Sequence, residues 1–282
     1  GGQVSASLSV IIPAHDEAGW IGACLSSLIA SEPGGGAVEI VVVANGCSDG
    51  TAAEARAMGP AAEAAGMALR VIELAEGGKP GALDAGDAAA EHGVRVYLDA
   101  DVTVAPDLLA ALARELSGEA ARYASGTVVL CRARSAFSRA YGRYWMLLPF
   151  NTQDVGGFGL FAMNAAGRAR WGDWPRIIAD DMFARLNFTP QERVKLPQRY
   201  HWPLVEGFGN LVRVRRRQDR GVREIAEEFP ALMNNEAVAR PGGGAVLLRA
   251  VRAPLGFCAY ALVALSVKLS RGRHGTLWVR GR

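Results

Sequence analysis

Hydrophobic positions between residues 8 and 117 follow two alternating patterns. Short, mostly apolar runs stand at Leu8–Ile12, Val38–Val43, Leu69–Leu74 and Val94–Leu98. Between them, apolar residues recur at helical spacing, as in Trp20, Ile21, Cys24, Leu25, Leu28 and Ile29, or an Ala-rich stretch follows a turn, as after Thr51. Runs that are apolar at consecutive positions suit strands covered on both faces, whereas the 3.6-residue period suits helices with one buried side. A further helix is expected from about Ala82 to Glu91. Repeated strand and helix in this order predict an α/β fold with a doubly wound, mainly parallel sheet for residues 1 to about 117.

Beyond Gly118 the regularity weakens. Tyr123–Cys131 reads as a strand and Ala136–Leu148 as a buried helix. The glycine-dense stretch Gly156-Gly157-Phe158-Gly159-Leu160 suits a strand or bulge that another molecule approaches closely. Ala253–Val267 carries no charge and lies between Arg252 and Lys268. A bilayer crossing needs about 20 residues, so three readings stand: a helix in the membrane interface, a helix packed on the rest of the chain, or an oligomer contact.

Chemistry concentrates where apolar runs stop. The fourth run ends as Leu98-Asp99-Ala100-Asp101. Ligands of open α/β sheets bind outside the carboxyl ends of the strands, and carboxylates are hard ligands suited to Mg²⁺ or Mn²⁺. Acids at a strand end also serve as loop solvation or helix caps, so the D-x-D alone leaves both readings open. The first run ends in Pro13-Ala14-His15-Asp16-Glu17 and the second in Ala44-Asn45-Gly46-Cys47-Ser48-Asp49. Lys79 opens a helix after two glycines; the spacing is not that of a phosphate-binding P-loop, but the amine could still meet phosphate as a point charge. Asp180-Asp181 follows an apolar pair and either starts a helix, where acids favour the positive end of the dipole, or divides its roles, one acid capping and one facing a ligand.

Composition adds limits. The chain has 282 residues, 50% of them apolar, and a net charge of only +3, which argues against nucleic acid as a partner. The charge is unevenly placed: after Glu236 there is no acid, while Arg240, Arg249, Arg252, Lys268, Arg271, Arg273, Arg280 and Arg282 are basic. That end is a candidate for peripheral contact with an anionic membrane surface. Four scattered cysteines without a C-x-x-C pair fit free thiols in a reducing cytoplasm, and no signal peptide is expected from the first residues.

Taken in order, V-I-I-P-A-H-D-E, E-I-V-V-V-A-N-G-C-S-D-G-T, G-K-P-G-A-L-D-A-G, Y-L-D-A-D-V, G-G-F-G and A-D-D-M-F resemble the family 2 glycosyltransferases of the GT-A fold over roughly residues 8 to 225. The resemblance implies a catalytic domain over residues 1–225, with a nucleotide-binding half to about 117 and an acceptor-side half from 118 to 225, followed by a basic, apolar helical extension over 226–282. It implies transfer of a sugar from a nucleotide diphosphate donor, a UDP-sugar in the first instance, to a hydroxyl of a saccharide, a lipid-linked carrier or a small molecule, with inversion and with Mn²⁺ or Mg²⁺. Pro13, Ala14, His15, Glu17 and Asn45 would line the base and ribose pocket. Asp101 would be the principal metal ligand, with Asp99 beside it and Ala100 between them; Lys79 and Arg217 would face the diphosphate. Gly157, Phe158 and Gly159 would border the acceptor, and Asp181, paired with Asp180, would be the general base.

The sequence departs from the family pattern at Ala44-Asn45, where an acidic pair is frequent, and at Asp180-Asp181, where Glu-Asp is frequent. It also lacks the Q-x-x-R-W motif of processive members, the nearest stretch being Val214-Arg215-Arg216-Arg217-Gln218. This predicts single additions rather than polymer synthesis. His201 is either an additional metal ligand or structural. Two other classes are open: a nucleotidyltransferase making sugar nucleotides, which would carry a glycine- and arginine-rich loop after the first strand, and a non-catalytic nucleotide-sugar binder, which would have no use for Asp181.

Overall fold

The computed structural model describes residues 5–238 and 242–269; Arg240, Arg271, Arg273, Arg280 and Arg282 of the basic C-terminal stretch lie outside them. The chain begins β1 (Leu8–Ala14), α1 (Ile21–Ile29), β2 (Val38–Asn45), α2 (Thr51–Ala57), α3 (Gly59–Ala64), β3 (Ala68–Leu74), α4 (Lys79–Ala89) and β4 (Val94–Leu98). It continues with β5 (Thr103–Val104), α5 (Leu108–Glu115), β6 (Tyr123–Leu130), α6 (Ala136–Trp145), α7 (Pro149–Thr152), β7 (Leu160–Met163), α8 (Ala165–Arg168) and α9 (Asp180–Leu186). It closes with β8 (Arg193–Trp202), α10 (Phe208–Glu228), α11 (Gly243–Arg252) and α12 (Pro254–Leu269).

One eight-stranded sheet has the order β3-β2-β1-β4-β7-β6-β8-β5. Its first half is the parallel sheet that the apolar runs predict: β1 pairs in parallel with β2 and β4, and β2 with β3. Val10, Ile11 and Ile12 of β1 are all fully buried. Since neighbouring residues of a strand face opposite sides, both faces of the sheet are covered there. On one face α4 comes so close that a Cβ on Gly86 would lie 2.4 Å from Cγ2 of Ile11. In the second half, β7 pairs antiparallel with both β4 and β6, and β5 pairs antiparallel with β8. The sheet is therefore mixed, and the turn holding the D-x-D lies where β4, with a parallel neighbour on one side and an antiparallel one on the other, comes to an end.

Contacts divide the chain into two compact units. The first contains the chain to Val129, Gly157–Arg176 and Asn187–Trp202, and so most of the sheet with α1 to α5 and α8. The second contains Leu130–Gly156, Ile177–Leu186 and the chain from Pro203 on. Within it, α12 packs on α6 and α10: Tyr144 meets Phe257 edge to face, Tyr141 stacks on Tyr260, and Arg215 donates to the Tyr260 hydroxyl at 2.6 Å. Among the described residues no helix is long and apolar enough to cross a membrane.

Candidate active site

In the first unit, three strand ends are stitched into one rim. β1 delivers Pro13 and Ala14 and β2 delivers Asn45, which is buried. Its side-chain amide donates to the carbonyls of Ala14 (2.9 Å) and Val43 (3.3 Å), and its oxygen accepts from the Gly78 N–H (2.9 Å). Thus one side chain ties the loops after β1, β2 and β3. His15 places Nδ1 2.7 Å from the Asn45 carbonyl. Glu17 is anchored through its backbone N–H to Thr51 Oγ1 at 2.7 Å. Between them Asp16 adopts positive φ (48°), and its carboxylate accepts from the Ser48 N–H at 2.6 Å. That backbone bond holds the carboxyl below the usual carboxylate range.

Lys79 is the first residue of α4, where the helix dipole disfavours a cation. Its ammonium instead reaches Asp99 Oδ1 at 3.1 Å. Asp99, Ala100 and Asp101 form the turn from β4 to β5, closed by Val102 N–H donating to the Asp99 carbonyl at 3.1 Å. Ala100 is buried and packs inward, while Asp99 and Asp101 are half-buried. Beneath them lies Cys24, fully buried in α1; its thiol is pushed up first by burial and then by the carboxylates of Asp101, Asp99 and Glu17. The carboxylates of Asp99 and Asp101 are hard oxygen donors of the kind that suits a divalent cation. Among the described residues, the group whose three ligand atoms lie within 4.8 Å of one another is Asp16, Cys47 and Asp49, on the loops after β1 and β2.

The glycine-rich stretch joins this rim. Asp99 donates its N–H to the Gly159 carbonyl at 2.9 Å, and Tyr200 donates its hydroxyl to the Phe158 carbonyl at 2.7 Å. The Phe158 ring stacks on Trp202 with centroids 5.9 Å apart. Gly157 and Gly159 both have positive φ (73° and 71°), and a Cβ on Gly157 would come within 2.0 Å of the Tyr123 hydroxyl. No other residue fits at Gly157 without moving the buried tyrosine. His201 lies in β8, paired opposite Thr103 and two positions along from Asp101 in the β4–β5 segment.

The remaining predicted residues belong to the second unit. Asp180 and Asp181 open α9; Asp180 is buried, and Asp181 is half-buried with Oδ1 2.8 Å from the Met182 N–H. Arg185, one turn further on, pairs with Asp154 and with Glu236. Arg217 lies on α10 four residues before Gly221, on the helix face that Ile178 and Ala179 press against, where a Cβ on Gly221 would be 2.9 Å from that of Ala179. Sequence reasoning singled out neither Cys24 nor Thr51, nor the Asp154–Arg185–Glu236 group. Thr51 was signalled by its place after a turn; the others depend on contacts between distant stretches.

A family model for glycosyl transferase family 2 matches residues 9–171, which takes in β1 through β7 with the D-x-D and stops short of Asp180-Asp181. No curated protein matches the chain by sequence. Among solved structures, the chain is similar to a mannosyltransferase, PcManGT from Pyrobaculum calidifontis, in complex with GDP-Man and Mn²⁺, at 20% identity and a TM-score of 0.59, covering 97% of this chain and 77% of that one. It is also similar to S. aureus TarS, at 16% identity and TM-score 0.58, covering 94% of this chain and 46% of TarS. A third is glucosyl-3-phosphoglycerate synthase from Mycobacterium tuberculosis, in complex with Mn²⁺, UDP and glucosyl-3-phosphoglycerate, at 18% identity and TM-score 0.52, covering 79% of each chain. At these identities the likeness is one of fold. With the family match spanning more than half of the sequence, and with the parallel strand ends and D-x-D turn in the order described, the chain belongs to glycosyl transferase family 2 and is a glycosyltransferase of the GT-A fold.

Proposed function

We propose that this enzyme is a metal-dependent, inverting transferase that moves a sugar from a nucleoside diphosphate donor, a UDP-sugar, to the hydroxyl of a saccharide, lipid-linked or small-molecule acceptor, adding one sugar per encounter. The observation that carries the reading is the D-x-D turn at the end of β4, beside the end of β1, with Lys79 bound to Asp99. Similar structures hold GDP-Man with Mn²⁺, UDP-GlcNAc, and UDP with Mn²⁺, which supports a nucleotide-sugar and a divalent cation here.

Asp101, with Asp99, would hold Mn²⁺ or Mg²⁺, which neutralises charge growing on a departing diphosphate. Lys79 adds a compact positive charge beside Asp99, and Arg217 is assigned to the same diphosphate. His15, Glu17, Pro13 and Ala14 line the base and ribose pocket. Asn45 shapes that pocket from beneath, because its amide is committed to Ala14, Val43 and Gly78. Gly157, Phe158 and Gly159 border the acceptor. Asp181 takes the proton of the attacking hydroxyl, and Asp180, buried at the start of the same helix, fixes its orientation. One base and one displacement give inversion at the anomeric carbon. We assign the catalytic chemistry to residues 1–225, with the remainder as an extension.

The test is a panel of UDP- and GDP-sugars with Mn²⁺, followed for release of nucleoside diphosphate, with and without chelator. Release of pyrophosphate would instead indicate a nucleotidyltransferase, and binding without release a non-catalytic protein. Asp181→Asn should keep donor affinity by calorimetry while turnover falls by about two orders of magnitude or more, the scale of a lost general base. Normal turnover in Asp181→Asn together with a dead Asp180→Asn would reverse the assignment of the pair.

A further inference from the structure

The helices α11 and α12 expose apolar surface on a scale found nowhere else among the described residues. Seven large aliphatic side chains there are more than half exposed: Leu247, Leu248, Val251, Leu255, Leu262, Leu265 and Leu269, from 52% to 80%. Elsewhere only Trp20, Phe208 and Val222 are large apolar residues of comparable exposure, at 41 to 44% and far apart in sequence. The seven are organised. In α12, Gly256, Ala259, Val263 and Val267 form the buried stripe that packs on α6 and α10, with Gly256 so close that a Cβ would be 2.5 Å from the Ala140 carbonyl. Leu255, Cys258, Leu262, Leu265 and Leu269 recur at intervals of three and four on the side left exposed. In α11, Leu247, Leu248 and Val251 form a second exposed apolar face immediately before the turn at Ala253.

A soluble surface rarely leaves seven large aliphatic side chains this exposed on two consecutive helices unless they meet a partner or a membrane. The charges nearby select between them. No acid occurs after Glu236; Arg252, between the two apolar faces, and Lys268, beside Leu269, are exposed, and Arg249 is half-buried beside Tyr144. A second copy on this face would oppose two acid-free, cationic surfaces. A coiled-coil partner would expect charged residues of both signs flanking the stripe, and of the flanking positions Ala259, Ala261, Ser266 and Lys268 a single one is charged. An apolar face on two helices that themselves carry cations and no acid matches the interface of a bilayer rich in anionic lipid, where the side chains enter the acyl boundary and the basic groups remain at the headgroups.

We propose that the outer face of α11 and α12 is a docking surface for an anionic lipid bilayer, on which the protein lies without spanning it. The proposal is independent of the donor, metal and base assigned above. It is tested by flotation of the full chain with vesicles of phosphatidylcholine alone or with about 30 mol % phosphatidylglycerol, in about 0.1 and about 0.5 M NaCl. Expected is flotation with the anionic vesicles only, weakened by salt. Leu247→Glu/Leu248→Glu/Leu255→Glu should lower the bound fraction at least about tenfold, with a circular dichroism spectrum and unfolding temperature close to those of the parent, because these side chains are more than half exposed. Arg252→Glu/Lys268→Glu should reduce binding to anionic vesicles as well. Absence of flotation, equal flotation of the triple variant, or a dimer by light scattering that the triple variant dissociates would each overturn it.

Discussion

Asn45 is a small residue with a large structural task. Its side chain makes three hydrogen bonds to backbone groups, at the end of β1, within its own strand β2 and in the loop before α4, in a position 3% exposed. Asn45→Ala leaves the carbonyl of buried Ala14 and the N–H of exposed Gly78 without that partner, and stranding a buried polar group costs about 1–3 kcal/mol. Urea unfolding should show a loss of that size, with donor affinity falling as the loops spread. Glu192 offers a test by pH. Arg170 and the Thr189 backbone pull its carboxyl down to about 2. A depressed carboxyl stabilises the fold at pH values above its ordinary range, near 4.5, and that contribution disappears as pH falls toward 2. Glu192→Gln should therefore flatten the acid-denaturation curve between about pH 4.5 and 2 and change little at neutral pH beyond a constant offset. At this scale the sequence displays Asp99 and Asp101 because an apolar run stops on them. Asp87 gives no such sign, although it accepts from Tyr97, Arg168 and Trp174 and joins α4 to β4 and α8; nothing local distinguishes it from a solvated helical acid.

Among elements, α4 shows propensity and packing in opposition. In an isolated helix Gly→Ala is favourable by about 1 kcal/mol. At Gly86 the new methyl would strike Ile11 of β1 at 2.4 Å, and overpacking of that kind costs about 1–3 kcal/mol. Gly86→Ala should lower the unfolding temperature even though it raises helix propensity, which differential scanning calorimetry would measure. Elements of the first half were legible because each strand's apolar run and each helix's period are local signals. The antiparallel placement of β7 beside β4 was not, because pairing between residues 95–98 and 160–163 leaves no periodic trace in either segment. The two-residue β5 is likewise defined by its partner β8 and not by its own sequence.

For the molecule as a whole, each compact unit is assembled from separated stretches of chain. A fragment ending at Trp171, where the family match ends, would lack β8, the partner of β5 and the neighbour of β6 in the sheet. It should be poorly soluble and unfold without a cooperative transition, since the removed strand leaves ladder groups open along an apolar sheet; the complete chain should unfold cooperatively by circular dichroism. The hydrogen bond from Asp99 to Gly159 has a further consequence for redesign. Loops that border an acceptor are natural targets for exchange between relatives, yet here the loop we propose for that role is hydrogen-bonded through its backbone to the acid turn we propose for the donor's cation. On that proposal, a graft that displaces the Gly159 carbonyl would disturb the acid turn as well as the loop, so a new specificity would have to be built around that carbonyl and not through it.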